Sequence, residues 1–153
     1  MEFPLRNLND AEKAALANGP IWVGILIGCA DGEMNTKEIE RIEEVIRTKT
    51  FSEQNDVHYL YKELTNENLK AKIEVEFDGL GGSAEDKANK ANANLEGLNS
   101  VLAKVNSTYA AQYRDSLNDI AVEVAKAAGG ILGIGSISSD EKELLDLPMI
   151  NKF

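Results

Sequence analysis

Four oxygen-bearing side chains fall close together in the segment GCADGEMNTKEIERI, residues 28–42: Asp31, Glu33, Asn35 and Glu38. Carboxylates and a carboxamide at this density are the donors a hard cation takes, and calcium commonly accepts about 6 to 8 oxygens. The same residues also make sense without an ion. Asn35 is spaced to cap a helix, Glu38 to close its capping box, and Met34 and Ile39 to form a hydrophobic staple. Asp31 and Gly32 read as a polar stop followed by a residue that tolerates positive φ. A dedicated calcium loop is not encoded, because its aspartate spacing and its glycine at the sixth position are missing. Two readings therefore stand side by side: a weak divalent-cation site, or a turn that ends one helix and a cap that starts the next.

Other chemistries find less support. Cys29 is the single cysteine and His58 the single histidine, and neither belongs to a cluster with zinc-ligand spacing. Cys29 lies in an apolar run and is expected to fill core; His58 is expected to be a partly exposed helix residue. Ser138 and Ser139 lack a nearby base, so no nucleophilic triad is indicated. Glu43 and Glu44 are adjacent on a helical pattern and point in different directions. The glycine runs GLGGS and GGILGIGS lack the phosphate-loop pattern, and no strand–helix–strand frame surrounds them.

Twenty-six acidic residues against sixteen basic ones give a formal charge of −10, which repels nucleic acid phosphates and anionic membranes. Cations and a protein partner with a basic surface are the partners this charge favours. The longest apolar run, Pro20 to Ala30, is far short of the roughly 20 residues a membrane-spanning helix needs and reads as a buried helix. No basic stretch followed by an apolar core opens the chain, so the expected location is cytoplasmic. A chain of 153 residues with 43% hydrophobic content suits a single domain over 1–153.

The elements that would position these groups are all helical. Asn9 and Glu12 form a capping box for a first helix, expected to end around Asn18 and Gly19, with Pro20 opening a second. In that second helix Gly24 and Gly28 recur at four-residue spacing, which lets a neighbour approach closely. Ile39, Ile42, Val45 and Ile46 share the apolar face of the next helix, with Glu40, Glu43, Glu44 and Arg47 outside it. Val57, Leu60, Tyr61 and Leu64 mark another. IEVEF, residues 73–77, alternates like a strand but has no partner strand, and is read as helix. DGLGGSAED, residues 78–86, is the clearest loop. Beyond it, Leu95, Leu98, Leu102 and Val105 form one seam, and Tyr109, Tyr113, Leu117, Ile120 and Val124 another. Core candidates are Trp22, Ile25, Leu26, Ile42, Leu60, Leu117, Ile120 and Leu132.

The opening segment has an echo near the end of the chain. ILIGCADGEMNTKEIERI lies over AGGILGIGSISSDEKELL at a constant offset of 103, placing Gly32 on Gly135, Asn35 on Ser138 and Glu38 on Glu141. Two such helix–loop–helix units suggest a pseudo-symmetric bundle. If the halves meet, Glu141 joins Asp31, Glu33, Asn35 and Glu38 as a metal ligand.

ADGEMNTKE and AKAAGGILGIGSISSDEKELL resemble the two signature regions of the TerB-like superfamily of tellurite-resistance proteins, covering about a third of the chain. The resemblance implies a compact all-α bundle of about seven helices, with an acidic site for calcium, magnesium or manganese. It also implies association with stress response, membrane-linked complexes or phage defence. Asp31 matches the family's loop aspartate, Glu38 the glutamate of the following helix, and Glu141 that of the second half. The second loop departs from the pattern: Ile134 stands where an aspartate would be, and Asp140, adjacent to Glu141, is the possible substitute. The expected function is a noncatalytic binding or sensing module. The alternatives are a metal-dependent enzyme using a carboxylate site and a domain that only stabilises an assembly.

Overall fold

The computed structural model describes residues 5–30, 36–53, 55–65, 68–127 and 143–153. Among them there are six helices and no strand: α1 Asp10–Cys29, α2 Thr36–Ser52, α3 His58–Thr65, α4 Leu69–Leu80, α5 Ala84–Leu102 and α6 Ser107–Ala125. A further helical turn covers 143–145. The all-α class is as expected, and IEVEF sits inside α4.

α1 is the axis of the bundle and touches each of the other five helices, most extensively α5 and α6. Its composition explains this place. From Gly19 to Cys29 every residue is buried, and a helix apolar on all sides has nowhere stable to lie except among others. The close approach anticipated at Gly24 is real: a Cβ there would come within 2.6 Å of Ile42 Cγ2 on α2. Ile39, Ile42 and Ile46 supply the buried face of α2, and Leu60, Tyr61 and Leu64 that of α3. All the core candidates within the described residues are buried; Leu132 lies outside them.

The expected break at Asn18–Pro20 does not occur. α1 runs through Pro20 as one helix of 20 residues. Proline inside a helix has no N–H for the carbonyl four residues back and its ring pushes that carbonyl aside. Here the carbonyl is Leu16 O, and the Tyr113 hydroxyl donates to it at 2.7 Å. The ring reaches it because residue 19 is glycine: a Cβ there would lie 1.9 Å from Tyr113 Oη. The Gly–Pro pair that looked like punctuation is a socket for a tyrosine of α6.

The expected loop over 78–86 is also shorter. α4 continues to Leu80 and α5 begins at Ala84, because Gly81 and Gly82 take positive φ of 66° and 76° and reverse the chain at once. Ser83 and Asp86 then form a capping box, each side chain accepting from the other's backbone amide at 3.2 and 3.1 Å. The last carbonyls of α4 are met from α5, where Lys87 Nζ donates to Phe77 O and Lys90 Nζ to Leu80 O.

A C-terminal strap closes the bundle. Leu145, Leu147 and Ile150 are buried, and the buried Arg114 of α6 donates to the carbonyls of Asp146, Leu147 and Ile150 at 2.7, 3.1 and 3.3 Å. Asn118 Nδ2 and Asn99 Nδ2 add bonds to Leu145 O and Met149 O.

Candidate functional site

Of the five proposed metal ligands, Glu38 is the one the structure describes; Asp31, Glu33, Asn35 and Glu141 lie outside the described residues, as does the second copy of the repeat. Glu38 stands in the first turn of α2, where the capping-box reading puts it. It is half-buried, and its Oε2 is out of contact with solvent. Its neighbourhood is the corner where α1 ends, α2 begins and α4 hands over to α5. Burial raises the Cys29 thiol pKa; the Lys87 ammonium lowers it and the Glu38 carboxylate raises it, so both charges lie within electrostatic reach of the sulfur. Lys87 is itself held over the Phe77 ring, 4.2 Å from its centroid. A buried thiol with a raised pKa is a poor nucleophile, which fits Cys29 as core. Among the described residues no group of three or more His, Cys, Asp or Glu side chains is placed to hold a metal ion.

His58 opens α3 and is half-buried. Its Nδ1 lies 3.0 Å from Thr50 O, and since a carbonyl only accepts, that nitrogen carries the proton. The histidine therefore ties the start of α3 to the end of α2.

The other polar groups taken into the bundle also hold helices together. Tyr61 Oη donates to Ser116 Oγ at 3.0 Å, and Ser116 donates onward to Tyr113 O at 2.6 Å. Thr50 Oγ1 donates back to Ile46 O within α2 and lies 3.5 Å from Tyr61 O of α3. Trp22 Nε1 donates to Glu76 Oε1 at 3.0 Å, joining α1 to α4. Desolvation pushes the phenol pKa values of Tyr61, Tyr109 and Tyr113 far above their ordinary value.

A concave surface that the sequence did not announce lies between α2 and α6. It is a groove of about 680 Å³, within the range of about 300–1,000 Å³ usual for binding clefts. Val45 and Val122 give it apolar surface over the buried Ile120, while Arg41 and Glu44 from α2 and Asp119, Glu123 and Lys126 from α6 and its C-cap bring charge of both signs. Lys49 spans the groove, bonded to Asp119 at 2.6 Å and to Glu53 at 3.1 Å. Burial works to lower the Lys49 pKa, but the hydrogen bonds to Asp119 and Glu53 outweigh it and hold the ammonium above its ordinary value. No sequence pattern marks the charged positions as a site, because each helix read alone assigns them to a solvated face and assigns Val45 and Ile120 to the core.

No described helix is long and apolar enough to cross a membrane. No family model matches the chain, and no solved structure matches it. The chain is similar to the uncharacterized protein ORF11′ of Methanothermobacter thermautotrophicus, 29% identical over 136 residues that cover 86% of this chain and 83% of the relative.

Proposed function

We propose that this chain is a noncatalytic helical binding or sensing module of the TerB-like kind, whose acidic exterior receives a protein partner with a basic surface. The observation that carries this reading is the division of labour among polar groups. Arg114, Ser116, Thr50 and Tyr113 are used inside, on helix carbonyls and the C-terminal strap. Carboxylates such as Glu44, Glu74, Glu96 and Asp115 stand outward on α2, α4, α5 and α6. Such an arrangement stiffens a scaffold and leaves its charge available for association.

A divalent cation held by Asp31, Glu33, Asn35, Glu38 and Glu141 would tie the start of α2 to the end of the chain and fix the acidic surface in place. Calorimetric titration of chelator-treated protein with calcium, magnesium, manganese and zinc tests this, beside a variant carrying Asp31→Ala and Glu38→Ala. Saturable binding with a defined stoichiometry, lost in the still-folded variant, is the expected result. Heats that never saturate in either protein would remove the cation from the proposal and leave the capping-box role of Glu38.

A further inference from the structure

We infer that the strap, residues 143–153, is an exchangeable ligand and that the α5/α6 face beneath it is a peptide-binding site, which takes the same segment from a second copy of this chain. The inference is independent of the acidic exterior and rests on how the strap is held.

The face recognises main chain. Among the described residues, every hydrogen bond between strap and helices ends on a strap backbone atom: Arg114 donates to three carbonyls and Asn118 to one. Asn99 of α5 makes a two-pronged contact, its Nδ2 donating to Met149 O at 2.9 Å and its Oδ1 accepting from Asn151 N at 2.8 Å. One carboxamide that answers an acceptor and a donor two residues apart fits a peptide, whichever molecule supplies it. Side chains add selection. Leu145, Leu147 and Ile150 are buried while Asp146, Pro148 and Asn151 are exposed, so the segment is held by one face, as docked peptides are when main chain gives affinity and pockets give specificity.

The strap is also strained. Leu147 holds a φ of 51°, the one positive value among the described non-glycine residues, and it precedes Pro148, whose ring steers the residue before it to extended conformations. A leucine stays in the left-handed region only where its surroundings enforce it, here through its buried side chain and the Arg114 bond to its carbonyl at 3.1 Å. Both restraints end when the strap leaves, so the strain favours release. An empty seat is disfavoured in turn, because it uncovers the apolar surface under Leu145, Leu147 and Ile150 and takes away the carbonyls that Arg114 donates to. A ligand strained in place and a seat that favours occupancy describe an exchange site. The segment that meets every one of these contacts is another copy of the strap.

The test uses the full chain and a fluorescein-labelled synthetic peptide of residues 143–153. In one variant, Leu147→Asp with Ile150→Asp disables the chain's own strap and leaves α5 and α6 untouched. Fluorescence anisotropy is expected to show saturable binding of the peptide to this variant. Adding Asn99→Ala should weaken it about tenfold, and a peptide carrying Leu147→Asp should not bind. The unaltered chain should bind the peptide at least about tenfold more weakly, because its own strap competes from a high effective concentration. Light scattering reads the second copy: the unaltered chain is expected to form dimers as its concentration approaches about 1 mM, and the strap-disabled variant to stay monomeric. Circular dichroism checks that this variant remains helical. If it unfolds, uptake of labelled peptide by the unaltered chain, blocked by excess unlabelled peptide, decides the question.

A folded strap-disabled variant that ignores the peptide would overturn the site, as would equal binding of the Leu147→Asp peptide. So would an absence of uptake by the unaltered chain where the variant unfolds. Peptide binding by a chain that stays monomeric at every concentration would overturn the second copy as the occupant.

Discussion

Tyr113→Phe removes one oxygen from the protein interior, and the geometry around it predicts a cost that depends on a residue far away in sequence. The hydroxyl donates to Leu16 O at 2.7 Å, and both residues are fully buried. Pro20 supplies no amide to that carbonyl. Losing the hydrogen bond costs about 1 kcal/mol, and leaving the buried carbonyl without a donor adds about 1–3 kcal/mol. We expect Tyr113→Phe to destabilise the fold by about 2–4 kcal/mol. In a Pro20→Ala background residue 20 regains its amide, which can donate to Leu16 O within the helix, and the same substitution should then cost under about 1 kcal/mol. The coupling, about 1–3 kcal/mol, lies above the scatter of additive sites. Urea unfolding of the four proteins, with a common m-value as the check on two-state behaviour, measures it. An equal cost of Tyr113→Phe in both backgrounds would refute the argument that the tyrosine replaces the missing amide.

Two further outcomes follow from the described geometry. Arg114→Met should strand three strap carbonyls and the Asn118 carboxamide oxygen; a loss of about 2–4 kcal/mol is expected, with amide exchange over 145–151 accelerating ahead of the helices. Unchanged exchange there would show that buried Leu145, Leu147 and Ile150 hold the strap unaided. The tyrosines set an alkaline limit: Tyr61, Tyr109 and Tyr113 have raised folded-state pKa values through burial, while their unfolded values lie near 10. Above that pH the unfolded chain loses protons that the folded chain keeps, so stability falls as pH rises. Ultraviolet titration should show their phenolates appearing together with loss of helical circular dichroism; ionisation of all three before that loss would contradict their burial.

How much of this was legible in the sequence differs from feature to feature. Helical spacing is a local property, so the faces built on Ile39, Ile42 and Ile46 and on Tyr109, Tyr113, Leu117 and Ile120 were readable and are buried. The capping box at Asn9 and Glu12 was readable for the same reason, since both partners lie within one turn. Glu38 was placed correctly in the first turn of its helix.

The Gly19–Pro20 pair was misread because the group that satisfies Leu16 O comes from a residue 97 positions away. Local chemistry alone favours a break at proline, and only a tertiary donor overturns it. The turn after α4 was read too long because Asp78 and Asp86 are typical loop residues, whereas the helices on either side are held to the very edge of the turn by lysines of α5 and by the Ser83 cap.

The groove shows the same limit from the other side. Arg41, Glu44, Asp119 and Glu123 obey the pattern of ordinary solvated faces, and their sequence says nothing more. Each helix determines its own polar flank through its 3.6-residue period. That two such flanks stand apart and leave a trough between them was decided by packing, because the buried, all-apolar half of α1 sets where α2 and α6 can lie.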